Sequence, residues 1–259
     1  YRLKHEVSVE QQMTNMKLRF FTDISHELRT PLTLISGPVE YVLANTQLPA
    51  DAREQLQVVE RNTNRMLRLI NQILDFRKIQ NKKMKMQVQR IDVVAFTRKI
   101  MENFDSVAEE HHIDFLFETE KAELYLWVDA DKYEKIIFNL LSNAFKYTKE
   151  GGNITISLRH NSTQVFITVS DDGSGIPEEA ILKIFDRFYQ ADSTPSSFSL
   201  GTGIGLALAK GIMDAHHGKI EIKSTVNQGS DFTLSLLLGN QHFNKEDIAA
   251  DPQQADAIY

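Results

Sequence analysis

Apolar residues recur in steps of three and four through the first eighty positions. Phe20, Ile24, Leu28, Leu32, Ile35, Val39 and Val42 form one stripe. Leu56, Val59, Thr63, Met66, Ile70 and Ile73 form a second, widened by Leu67 and Leu74. This spacing predicts two long amphipathic helices. Between them Asn45, Pro49 and Asp51 supply loop and N-cap chemistry, so the helices are expected to fold back as an antiparallel hairpin. Two helices cannot cover stripes of this length by themselves. A second copy of the hairpin is therefore expected to complete a four-helix bundle.

The pattern changes at "QNKKMKMQVQR" (80–90), which reads as a linker. Alternation and β-branched content then predict strands at 85–89, 113–118, 124–128, 154–160, 164–171, 219–224 and 231–238. Helices are predicted at 93–110, 131–147, 178–185 and 203–216. Residues 190–203 are rich in serine and glycine without periodicity and predict a mobile loop. The expected organisation is a helical hairpin over 1–83, an α/β domain over 84–239 with a mixed sheet packed on helices, and a polar linker or fraying helix over 240–259.

Composition removes several function classes. The 259 residues carry a net charge of −6, which offers no general attraction to nucleic acid or anionic lipid. No cysteine is present, so disulfides, thiolate nucleophiles and cysteine zinc sites are excluded. No run approaches the ~18 apolar residues of a membrane span. The chain opens on Tyr1, which reads as a piece of something longer, with no membrane contact expected within it.

One histidine stands out. At about 100° per residue, Leu28, Leu32, Ile35, Val39 and Val42 all fall within roughly 80° of Ile24, while His26 falls near 200°. His26 is thus expected in solvent, opposite the stripe, where a plain surface histidine is the simplest reading. Its neighbours shift that balance. Glu27 is placed to accept an imidazole proton, which raises the nucleophilicity of the other ring nitrogen. Pro31 lacks an amide N–H and leaves the Glu27 carbonyl without its helical partner, a cause for a local bend. Arg29 favours an approaching anion. A nucleophilic imidazole on a pliable turn suits acceptance of a phosphoryl group.

The second domain carries matching phosphate chemistry. "DDGSGI" (171–176) follows the alternating strand "VFITVS", so Asp171 sits at a strand end with Gly173 and Gly175 opening the loop. A carboxylate there can accept from an exocyclic amine while the backbone approaches a flat ligand. "GTGIGLALAKGI" (201–212) sets Gly201, Gly203 and Gly205 ahead of a helix, an anion site built from free amides. The serine-rich stretch before it excludes a dinucleotide-binding strand, and no lysine follows as a P-loop requires. In "NLLSNAFKYT" (139–148), Asn139 and Asn143 share a helix face, with Lys146 and Tyr147 on the next turn. Amide oxygens suit magnesium, which bridges phosphates.

These motifs, in this order, resemble those of sensor histidine kinases of two-component systems. "SHELRTP" resembles their H-box, "NLLSNAFKYT" the N-box, "DDGSGI" the first glycine box, "IFDRFYQ" the F-box and "GTGIGL" the second glycine box. "NQGSDFTLSLLL" is a loose third, with Ser230 and Asp231 after Gly229. The stretch around His26 further resembles hybrid kinases of Bacteroides-type bacteria. The resemblance implies a dimerising phosphoacceptor hairpin and a Bergerat-type ATP-binding sandwich, using ATP and Mg2+. It implies His26 as phosphoacceptor, Glu27 as acid/base partner, Thr30 as an aid to dephosphorylation, and Arg187 beside Phe185 and Phe188 at the base of an ATP lid. Asn143, supported by Asn139, takes the magnesium position. Lys146, Tyr147, Asp171, Gly173, Gly175, Ile176, Gly201, Thr202, Gly203, Ile204, Gly205 and Leu206 surround the nucleotide. The partners implied are a second copy of the chain and a response-regulator receiver domain. The location implied is the cytoplasmic portion of an inner-membrane sensor. An ATPase of the same fold, or a degenerate kinase acting as a dimeric module, are the competing readings. The first leaves the paired stripes and His26 unexplained, and intact glycines with Asn143 and Asp171 argue against the second.

Overall fold

The computed structural model describes residue 25 and residues 27–80, 84–189 and 203–249. His26, Gly201 and Thr202, with most of the expected loop at 190–203, lie outside the described residues. Contacts divide the chain between Met84 and Lys85 into two units.

The first unit is the expected hairpin. Helix α1 covers residues 27–45 and continues through Pro31 and Pro38, and α2 spans Ala50–Gln80. Proline removes the amide that would bond four residues back, so the carbonyls of Glu27 and Leu34 lose their helical donors. The corner is fastened by Arg53, whose guanidinium donates to the carbonyls of Leu43 (3.3 Å) and Thr46 (3.4 Å) at the end of α1. Between the helices, Arg29 donates to Asn71 Oδ1 at 2.7 Å. The apolar stripe divides. Leu32, Val39 and Val42 are half-buried, while Leu28, Ile35, Val59 and Met66 stay 40–53% exposed. Each exposed pair repeats at seven residues, the period of a bundle seam.

The second unit is an α/β sandwich. Strand β1 (Val88–Asp92) pairs antiparallel with β3 (Tyr125–Asp129) in a small separate sheet. The main sheet runs β2 (Asp114–Thr119), β4 (Asn153–His160), β5 (Gln164–Asp171), β7 (Gly229–Leu237), β6 (Lys219–Thr225), parallel only between β2 and β4. Alternation along β4, β5 and β7 sends Ile154, Ile156, Leu158, Val165, Ile167, Val169, Leu234 and Leu236 to one buried face. Helices α5 (Ala130–Tyr147) and α7 (Gly205–Ala215) supply the opposing layer through Ile136, Ile137, Leu140, Leu141, Leu208 and Ile212. Each of these buried side chains contributes roughly 1.5–3 kcal/mol relative to exposure.

Four boundaries differ from expectation for local reasons. The first strand begins at Val88 rather than 85, because the Gln87 amide is held by Asp129 Oδ2 at 2.7 Å. The helix expected at 93–110 breaks into α3 (Val93–Met101), a 3-10 turn (Glu102–Phe104) and α4 (Asp105–Glu110). The helix expected at 178–185 closes after one turn, α6 (Glu178–Ile181). Residues 240–249, read as a linker or fraying helix, return to the domain. Phe243 is buried there, and the Ala249 amide donates to the Val88 carbonyl at 2.9 Å. Single apolar residues in a polar run leave no periodicity to read.

His216, after the end of α7, is only 1% exposed, and burial depresses its basicity below the ordinary 6.5. As pH falls, the unfolded chain binds this proton before the folded chain does. The stability tied to neutral His216 is therefore complete above pH 6.5 and is lost as pH drops below that value. Urea unfolding between pH 8 and 5 should show declining stability, with a shallower slope in His216→Gln. Equal slopes in the two proteins would assign the acid sensitivity to other groups.

Candidate functional site

The site begins with α5, capped at Asp129, whose carboxylate accepts from the Lys132 amide at 3.2 Å. Apolar residues on one face commit the helix to the sheet, which fixes the direction of its other face. Asn139 is 7% exposed and Asn143 half-buried one turn on, and the Lys146 ammonium lies 4.9 Å from the centre of the Tyr147 ring. Beyond Tyr147 the helix stops at Thr148. The buried Thr148 hydroxyl has no hydrogen-bond partner among the described residues, so a ligand or water is needed to satisfy it.

Asp171 closes β5, the middle strand of the main sheet. Its Oδ1 accepts from the Gly173 amide at 3.0 Å, and the Ser230 amide on the facing strand also donates to the carboxylate. Burial nevertheless pushes its pKa from 3.8 up to about 6, with the negative charges of Asp172 and Asp231 adding to the effect. The glycine loop that follows is pressed against α5. The Ser174 amide donates to the Tyr147 carbonyl at 3.2 Å, and a Cβ on Gly173 would stand 2.5 Å from that same oxygen. No other residue fits at 173. Farther along, Ser224 Oγ accepts from the Ile176 amide (2.8 Å) and donates to the Gly229 carbonyl (2.8 Å), which ties the loop to the β6–β7 turn.

The third wall is the start of α7. Gly205 opens the helix so close to α5 that a Cβ there would lie 3.2 Å from Asn139 Oδ1. Ile204 is 1% exposed and Leu206 half-buried, so this turn is anchored. The Phe188 amide donates to the Gly203 carbonyl at 2.9 Å, which joins the residues flanking the expected lid. Arg187 is exposed on that junction.

The second unit thus brings together Asn139, Asn143, Lys146 and Tyr147 on α5, Asp171, Gly173, Gly175 and Ile176 after β5, and Gly203, Ile204, Gly205 and Leu206 at α7. Glu27 and Thr30 are exposed on α1, in the other unit. The sequence reading passed over Ser224, and gave Gly229 and Ser230 no individual role. Gly229 has φ +99° and its backbone passes the Asp171 carbonyl too closely for any side chain. A glycine two residues into "NQGSD" was the available signal.

Among the described residues no group of three or more histidines and carboxylates is arranged to hold a metal. The donors present are amide oxygens beside a helix N-terminus. That set fits magnesium, which takes one or two protein oxygens and completes its shell with water and phosphate.

Two family descriptions match the chain. Residues 16–82 match the His Kinase A (phospho-acceptor) domain, and residues 128–240 match the histidine kinase-, DNA gyrase B- and HSP90-like ATPase. Histidine kinase P4 of Formosa agariphila is 36% identical over 99% of this chain, which covers 20% of that protein. The nucleotide-free catalytic domain of histidine kinase ThkA aligns with a TM-score of 0.53 at 30% identity, covering 59% of this chain and 99% of that one. Full-length ShkA in complex with AMPPNP aligns with a TM-score of 0.69 at 25% identity, covering 85% of this chain and 46% of that one. The chain spans between 16% and 56% of the length of these curated relatives.

The Asp171 carboxyl should titrate with a midpoint near 6 when followed by carbon-13 NMR. Because its pKa is raised on folding, its contribution to stability is present below 3.8 and lost as pH rises through about 6. A midpoint near 4 would show that the carboxylate is solvated.

Proposed function

The chain belongs to the histidine kinase family, and from that membership we propose that it is the kinase core of a two-component sensor. It takes the γ-phosphate of ATP onto His26 and passes it to an aspartate of a response-regulator receiver domain. The observation that carries this reading is the half-buried Asp171 carboxylate at the head of a loop clamped to the asparagine-bearing helix, downstream of a hairpin whose sequence holds His26-Glu27.

Asp171 accepts from the exocyclic amine of adenine. The amides opening α7 and the Lys146 ammonium take the phosphates. Asn143, with Asn139 behind it, offers oxygen to magnesium, which when bound neutralises charge across the phosphates. Phosphoryl transfer through a loose transition state demands mainly positioning and charge neutralisation. A ring nitrogen of His26 attacks phosphorus as the bond to the ADP oxygen breaks, and the ring proton passes to Glu27. Thr30 serves the opposing reaction by orienting water for dephosphorylation of the regulator, and Arg187 helps to stabilise the charge in transfer. Gly201 and Thr202 extend the phosphate cradle. The exposed heptad residues Leu28, Ile35, Val59 and Met66 are the seam for a second copy. Among the described residues no helix is long and apolar enough to cross a membrane, in keeping with a cytoplasmic core of a membrane sensor.

Incubation with γ-labelled ATP and magnesium should leave acid-labile, base-stable label on the protein, reduced ~100-fold or more in His26→Gln. ATP hydrolysis without labelled protein would instead favour an ATPase of this fold. Asp171→Asn should weaken ATP binding roughly 10–100-fold, the worth of a hydrogen bond to a charged group. In the native chain, affinity should fall as pH drops through about 6, where Asp171 takes up its proton. Calorimetric titration across pH 5–8 checks both.

A further inference from the structure

The nucleotide walls stand on two helices, α5 and α7, whose register sets the distance between the amide oxygens and the phosphate amides. At the site, Asn139 and Gly205 meet so closely that a Cβ at 205 would lie 3.2 Å from Asn139 Oδ1, which would have to give way. Along the rest of the contact α7 presents Ala207, Leu208, Ala209, Ile212 and Met213, all buried and apolar. Such contacts are non-directional, and small alanines permit sliding. Something else must hold the axial position of α7.

Beyond the far end of α7, one buried side chain bonds to both helices. His216 Nδ1 lies 2.9 Å from the Ile212 carbonyl, in the last turn of α7. A carbonyl only accepts, so Nδ1 carries the proton and Nε2 is left as an acceptor. Nε2 lies 3.1 Å from the backbone nitrogen of Asp129, the N-cap of α5. The imidazole therefore spans 87 positions of sequence to tie the end of α7 to the beginning of α5. Asp129 is itself fixed, 3% exposed, with its carboxylate taking the Gln87 amide and the Lys132 ammonium (2.6 Å). The Phe243 ring, 6.2 Å from the imidazole, covers it. Loss of the acceptor would leave the buried Asp129 N–H unpaired, so the helices gain by shifting to re-satisfy it.

We infer that His216 is a positioning residue for nucleotide binding: by bridging the Ile212 carbonyl and the Asp129 amide it sets α7 in register with α5, and so sets the phosphate amides against Asn139 and Asn143. The inference rests on the ATP-binding reading above. Displacements of about 1 Å at a reacting geometry cost on the order of 100-fold, so the bridge acts on the site although it touches no ligand.

The test compares His216→Leu, His216→Asn and His216→Gln, using AMPPNP binding and the KM and kcat of autophosphorylation. Glutamine reaches the Nε2 position with an oxygen acceptor; asparagine, one methylene shorter, reaches only the Ile212 carbonyl. Leucine and asparagine are expected to raise the AMPPNP Kd and the ATP KM about tenfold, with glutamine within threefold of the native chain. Glutamine and asparagine indistinguishable in Kd, or leucine lowering Tm with Kd unchanged, would overturn the inference and leave His216 a core residue. A native chain that binds no AMPPNP would overturn the ATP reading as well, and the native titration reports that separately.

Discussion

The second unit is organised around a carboxylate that has been drawn partly out of water. Asp171 ends the middle strand of the main sheet, and its pKa near 6 measures how far desolvation outweighs the two backbone amides that serve it. Keeping it there demands that the following loop lie flat on the last turn of α5, which only Gly173 allows, and that β7 pass its carbonyl with Gly229. The loop then needs its own fastening, supplied by Ser224 and the amide of Ser174. A carboxylate held in this state gains from a hydrogen-bond donor brought by a ligand. Binding sites commonly give up some stability for such readiness.

The two units are held together by different means. The α/β unit buries the inner face of its three central strands beneath helices of the same chain. The hairpin is joined in part by polar contacts such as Arg29 with Asn71, and by an arginine at its corner, while Leu28, Ile35, Val59 and Met66 of its apolar stripes remain exposed. A second copy, as proposed, would cover this seam and make the hairpin's stability depend on protein concentration. His26, the proposed acceptor, belongs by sequence to the first unit, and the walls of the candidate site belong to the second.

Legibility followed the range of the interaction. Hydrophobic period, glycine punctuation and the order Asn139, Asn143, Asp171, Gly203, Gly205 all lie within short stretches, and they announced the hairpin, the sandwich and the residues that line the candidate site. Ser224 and Ser230 carry no special pattern, because their role arises from pairing across the β6–β7 turn. Phe243 and Ile248 looked like isolated apolar residues in a polar tail, and only β1 and the end of α7 give them a place to dock.

From sequence alone came the two helices, the strands, the glycine loops and the residue types of a phosphoryl-transfer site, since each depends on neighbours one to four positions away. Tertiary structure alone decided that Asp171 would be desolvated, that Gly229 would have no room for a side chain, and that His216 would bridge α7 to the cap of α5. Those outcomes depend on which backbone atoms meet after folding. Charge desolvation and buried hydrogen-bond pairing have no sequence period, because many of the groups that impose them lie tens of residues apart in the chain.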